Sequence, residues 1–123
     1  MAEIVEQELS YAIVGEAYKV RDELGTGFLE KVYENALIVG LREIGLRVEQ
    51  QVPIEVRYHG QIVGTYFADL IVEGRILIEV KVAERISRAH LAQTRNCLQA
   101  TGLKLGIVIN FNKERVDVER VVN

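Results

Sequence analysis

The stretch DLIVEGRILIEVKV, Asp69 to Val82, constrains the fold of this chain more than any other. Two aliphatic runs flank Glu73-Gly74-Arg75, which predicts a buried β-hairpin: branched residues favour strands, and Gly74 can take the positive φ that a hairpin turn or a bulge needs. Yet the runs also carry Asp69, Glu79 and Lys81. Charged side chains are seldom fully buried unless they are paired or bind a metal, because desolvating an unpaired ion costs several kcal/mol or more. These three charges therefore either point to water or form a site.

Strand parity frames that choice. Glu79 and Lys81 are two residues apart and share a face. The place of Asp69 depends on the turn. A three-residue loop, Glu73 to Arg75, pairs Val72 with Ile76 and sets Asp69 opposite Glu79, whereas a two-residue loop at Glu73-Gly74 sets it opposite Ile78. Only the longer loop gathers all three charges. In that register the two carboxylates repel each other unless something positive sits between them. A divalent cation suits that position, with Lys81 alongside.

The rest of the chain is read from periodicity. Ile4, Leu9, Ile13, Ala17 and Leu24 predict a helix from Ala2 to Glu23, stopped by Gly25 to Gly27. A second helix is expected from about Phe28 to Ile44, with Gly45 as its C-terminal cap. LRVEQQVPIEVRY alternates as a strand in which Pro53 marks an edge or bulge, and His59-Gly60 turns into QIVGTYFADLIV. Ser87 starts a third helix that runs to about Ala100, Gly102 ends it, and KLGIVINF reads as a buried last strand. By the right-handed crossover rule that strand lies parallel to ILIEVKV. The expected class is α/β (α+β): a mixed β-sheet flanked by helices, two of them N-terminal and one a crossover. With 123 residues, 49% of them hydrophobic, the chain is expected to form a single domain over residues 1–123.

Composition narrows the function. No apolar run approaches the roughly 20 residues that span a bilayer, and MAEIVEQELS lacks the basic-then-apolar order of a signal peptide, so a cytoplasmic protein without membrane partners is expected. Cys97 has no second cysteine to pair with, and two histidines beside it make a poor zinc site, so any metal would have oxygen ligands. The net charge of -3 lacks the basicity of a dedicated nucleic-acid binder. Lys81, Arg85 and Arg88 nonetheless form a local basic patch, which reads either as a phosphate-binding surface or as a solvated helix start.

DLIVEGRILIEVK resembles the catalytic hairpin of the PD-(D/E)XK nuclease superfamily, an acid on one strand and Glu-x-Lys on the next, with Ala68 where the superfamily often has proline. GFLEKVY, Gly27 to Tyr33, is similar to the Gly-x-x-Glu-x-x-Tyr signature of the GxxExxY family within that superfamily. LAQTRNCLQATGLKLGIVINFN resembles that family's last third, where a glutamine-bearing helix leads into a strand ending in Asn-Phe. The matches follow the family's order and cover nearly the whole chain. The resemblance implies a restriction-endonuclease-like fold and metal-dependent phosphodiester hydrolysis on DNA or RNA. It implies that Asp69 and Glu79 ligate one or two magnesium ions, or manganese, with the Val80 carbonyl as a further ligand, and that Lys81 positions or activates the attacking water. Glu30 would come from the second helix as another acid facing the metal or its waters, and Gln93 from the third as a polar contact at the edge. The chemistry has a physical reason: a metal neutralises charge on the pentavalent transition state and lowers the pKa of its bound water. Oxygen ligands favour magnesium or manganese over zinc.

Plainer readings stand beside these. Glu30 and Glu34 are by default solvated helix residues, Tyr33 a core aromatic, Gln93 and His90 partners of backbone groups, Glu79 and Lys81 edge-strand charges and Cys97 an inert core thiol. A catalytically weak or inactive nucleic-acid or protein binding module on the same fold is the alternative function, and a scaffold with structural charges a third. A twofold homodimer is expected from the aliphatic excess and from the tail RVDVERVVN, which alternates like an unpaired strand.

Overall fold

The computed structural model describes residues 6–123, so residues 2–5 of the expected first helix, Ile4 among them, lie outside the described residues. Two nearly uninterrupted apolar strands organise the fold. They are β3 (Ile76–Lys81) and β4 (Leu105–Phe111), every residue of β4 being buried. Strands this apolar need cover on both faces. Helices α1 (Gln7–Leu24) and α2 (Glu30–Glu43) supply it on one side, and the crossover helix α3 (Arg88–Thr101) on the other. With β1 (Val48–Tyr58), β2 (Gln61–Val72) and β5 (Val116–Val122) they form a five-stranded sheet in the order β1-β2-β3-β4-β5.

The expected parallel crossover is present: β3 and β4 run parallel from Ile76 beside Leu105 to Lys81 beside Asn110, and the other neighbours are antiparallel. Alternation sorts the side chains. Ile76, Ile78 and Val80 join Ile13, Leu37 and Leu41 of α1 and α2 in the larger core, while Leu77 packs with Cys97 and Leu98 of α3 in a second. Ser87 caps α3 as expected. Its Oγ accepts from the His90 N–H at 3.1 Å and its own N–H donates to His90 Nδ1 at 3.1 Å, so two orphan donors are satisfied reciprocally. At Gly106 an added Cβ would stand 2.6 Å from Thr94 Cγ2, so α3 comes closer to β4 than any side chain there would allow.

The hairpin question is settled by pairing. Val72 is opposite Ile76 and the Arg75 N–H donates to the Val72 carbonyl at 3.0 Å, which is the three-residue loop. Pro53 lies on the edge strand β1. The tail corrects one expectation, since Val116–Val122 is not unpaired: it is β5, joined to β4 from Phe111 beside Val116 to Leu105 beside Val122. A chain end that alternates in sequence looks the same whether its partner is its own β4 or another molecule.

One irregularity shapes the whole sheet. Val48, Leu70 and Val72 face α1 and α2, but Ile54 and Ala68, with Val52, pack on the α3 side, so alternate residues change faces along both β1 and β2. The change falls at Gln51, which has a left-handed φ of 51°. Beyond it the β1–β2 hairpin leaves β3, which pairs with β2 only from Leu70 to Val72, and projects as an arm on which Gln61–Phe67 is exposed throughout. None of the described helices is long and apolar enough to cross a membrane.

Candidate active site

Strands β2 and β3 part after Leu70 and Ile78, and the gap is filled by Asp69, whose Oδ2 accepts from the Val80 N–H at 2.7 Å. A carboxylate thereby replaces a ladder bond at the centre of the sheet. Glu79 follows on β3, only 4% exposed, with an Oε1 that has no hydrogen-bond partner. Lys81 is half-buried at the end of β3 and forms no ion pair among the described residues. Glu30 is the first residue of α2, exposed at a helix N-terminus, where the backbone dipole favours an anion.

Their charges act on one another. Burial, followed by the neighbouring Asp69 carboxylate, pushes Glu79 up to about 8; Lys81 opposes this, while a hydrogen bond with Asp69 and the charge of Glu30 add to it. Partial desolvation by its neighbours raises Glu30 above the usual range although the residue is exposed, against the pull of Lys81 and with the push of Asp69 and Glu34. Lys81 reaches His90 too, whose pKa burial and that ammonium lower. Cys97 is pushed up to about 11 by burial and by Glu79, which fits the expected inert thiol; Glu79, two residues from Leu77 on β3, shares its face on the α3 side of the sheet. Asp69, Glu79, Lys81 and Glu30 thus share one electrostatic neighbourhood.

Helix α2 brings an acid that sequence reasoning set aside. Glu34 is not a solvated surface residue but 2% exposed, one turn after Glu30. It accepts from Lys31 Nζ at 3.1 Å, from Gln50 Nε2 at 2.7 Å and from Gln51 Nε2 at 3.1 and 3.3 Å. Gln51 Nε2 also donates to Asp69 Oδ1 at 3.1 Å, which links β1, β2 and α2. The available signal was Gln50-Gln51, two amides inside a strand that packs beside a helix carrying Glu30 and Glu34. Tyr33 is the core aromatic expected: its hydroxyl donates to the Gly25 carbonyl at 2.7 Å, and its ring stacks on Phe111 at 4.6 Å. That clamp holds the loop leading into Glu30.

Other residues border the site without joining it. Gln93 is exposed on α3, one turn after His90, and makes no hydrogen bond among the described residues. The Asn110 side chain bonds both backbone groups of Ala83, at 2.8 and 2.9 Å, and so fastens the chain just after β3. Beyond that latch Arg85 and Arg88 are exposed and unpaired among the described residues. A cleft of about 700 Å3 lies between the arm and α3, lined by residues such as Arg57, Tyr66, Asn96 and Gln99, and another of about 600 Å3 is bordered by Phe28, Val82, Phe111 and Arg115. Neither has Asp69, Glu79 or Lys81 in its walls.

No group of three or more His, Cys, Asp or Glu residues forms a ready metal cage among the described residues. What is present is a pair of carboxylates, one with a buried oxygen lacking any partner, in a donor set of oxygens alone. That pair fits a hard divalent cation that keeps several waters of its own.

A family model described as the PD-(D/E)XK nuclease superfamily matches residues 7–121. The crystal structure of SSO0001 has a similar fold, with a TM-score of 0.62 and 19% identity, covering 97% of this chain and 61% of that one. This chain therefore spans about three fifths of the length of SSO0001. An alkaline exonuclease (LHK-Exo) from Laribacter hongkongensis is also similar, with a TM-score of 0.56 and 16% identity over 100% of this chain and 72% of that one. At such identities the likeness is one of fold. No curated protein matches the chain.

Proposed function

Because the chain belongs to the PD-(D/E)XK nuclease superfamily, whose members generally use divalent metals, we propose that it hydrolyses phosphodiester bonds of DNA or RNA at Asp69, Glu79 and Lys81. The observation that carries this reading is the pairing of half-buried Asp69 with buried Glu79, which is forced up to about 8 and keeps an unpartnered oxygen. A structural pair would be neutralised by its neighbours. This one is left short of positive charge.

Asp69 and Glu79 would hold magnesium or manganese, with the Val80 carbonyl and Glu30 as further oxygen donors, directly or through water. Bound there, the ion supplies charge neutralisation at the phosphate and a more acidic water. Lys81, free of any ion pair among the described residues and within electrostatic reach of Glu30 and Glu79, would orient the attacking water and meet phosphate charge. Gln93 would contact substrate at the α3 edge. Arg85 and Arg88 would grip the phosphodiester backbone, with Asn110 holding their loop in place. The GxxExxY family is the proposed branch: Gly27 has a φ of 94°, Glu30 opens α2 and Tyr33 clamps the loop between them.

We also propose a twofold pair of chains. The outer edge of β2 from Gln61 to Ala68 has no partner strand among the described residues and no charged side chain, and natural proteins seldom leave such an edge open. A binding module on the same fold is the second reading, favoured by the net charge of -3.

Cleavage assays separate the two. With magnesium or manganese, wild-type protein is expected to cut single-stranded, duplex or structured DNA or RNA. Glu79→Ala and Lys81→Ala should lose that activity by about 100-fold or more while binding survives, since these groups act on the transition state. Binding of nucleic acid without cleavage under all these conditions would establish the module instead.

A further inference from the structure

We infer that Gln51 is a positioning residue of the proposed site: its side-chain amide ties Asp69 to Glu34 and fixes the direction in which the Asp69 carboxylate points. The inference rests on the nuclease reading for what Asp69 holds, and on the structure for how it is held.

The backbone gives the first argument. Gln51 has a φ of 51°, a left-handed conformation that costs energy for any residue with a Cβ and persists only where the surroundings impose it. It occupies the register position opposite Asp69, between the pairs Gln50–Leu70 and Val52–Ala68, where the two strands exchange faces. Regular extended backbone at this position would maintain the alternation of faces instead. The strained turn is thus spent at the one residue of β1 that faces the candidate acid.

The side chain gives the second. Gln51 Nε2 donates to Asp69 Oδ1 at 3.1 Å and lies 3.1 and 3.3 Å from the two oxygens of Glu34. The other Asp69 oxygen accepts from the Val80 N–H at 2.7 Å. Each Asp69 oxygen is therefore held from a different strand, and rotation of the carboxylate breaks one bond or the other. Glu34 has Lys31 and Gln50 as donors already, so burying it does not require Gln51. What Gln51 alone adds is the link to Asp69.

The test is manganese binding by the whole protein, measured by calorimetry beside metal-free thermal melts. Gln51→Gly removes the amide and also the left-handed strain, so it is expected to melt within a few degrees of wild type while its manganese dissociation constant rises roughly 10- to 100-fold, as for other residues that orient a ligand. Gln51→Asn keeps an amide, shorter by one methylene, on a residue that tolerates the left-handed region, and should recover part of the affinity. Asp69→Asn should bind no manganese. A merely structural Gln51 would change the melt and leave the affinity alone; equal affinity for wild type and Gln51→Gly overturns the inference while the loss in Asp69→Asn keeps the metal site. If Gln51→Gly does not fold, Gln51→Asn and Glu34→Gln carry the same comparison, and unchanged affinity in both overturns it. Wild-type protein that binds no manganese ends the metal reading itself.

Discussion

Glu79 shows how a single residue can make stability depend on pH. Its carboxyl is shifted from the usual 4.5 to about 8 by burial and by Asp69, so between those values the folded chain keeps a proton that the unfolded chain has lost. The folded state then binds more protons, and stability is full below about pH 4.5 and falls as the pH rises toward 8, with a limiting slope of ~1.4 kcal/mol per pH unit. Metal-free protein is thus expected to melt at progressively lower temperature from pH 5 to pH 8, and Glu79→Gln to flatten that profile. A flat wild-type profile would mean that Glu79 ionises normally. The acids of the hairpin were legible because charges inside an aliphatic run demand an explanation. Glu34 was not, since helical spacing says which face a residue occupies but not that two glutamines of a strand will meet it there. Nor was Gln51, because glutamine carries no propensity for a positive φ.

Among the elements, the hairpin of β2 and β3 is the instructive case. Gly74 permits either loop, so the sequence leaves the register open, and the pairing of Val72 with Ile76 and of Ile71 with Leu77 decides it. The parallel β3–α3–β4 unit was readable throughout, because the Ser87 cap, the Gly102 stop and the apolar β4 agree with one another. The closeness of α3 to β4 was not, and it yields a prediction. Thr94 is fully buried and cannot swing away, so Gly106→Ala, which would set a methyl 2.6 Å from Thr94 Cγ2, should cost about 1–3 kcal/mol in denaturant unfolding. The double change Gly106→Ala with Thr94→Ser should recover part of that loss. If Gly106→Ala unfolds like wild type, the helix is free to shift outward.

For the molecule as a whole, assembly and the arm belong together. If two chains pair along β2, wild-type protein at tens of micromolar sediments as a dimer, and Ile62→Lys with Phe67→Lys, which place like charges on both copies of the edge, should return it to monomer without loss of helix or sheet by circular dichroism. A wild-type monomer at that concentration would refute the pairing. Association through the tail, one of the two grounds for expecting a dimer, loses its force because β5 is already joined to β4. The exchange of faces at Gln51 and Asp69 has a further consequence. Because β3 stops pairing with β2 at Leu70, the tip of the arm is not in register with the carboxylates. Its turn at His59-Gly60 lies beyond the buried Ile54 and Ala68, so hairpins of other lengths grafted between Glu55 and Thr65 would reshape the edge along which two chains are proposed to pair while leaving the second core and the carboxylates in place.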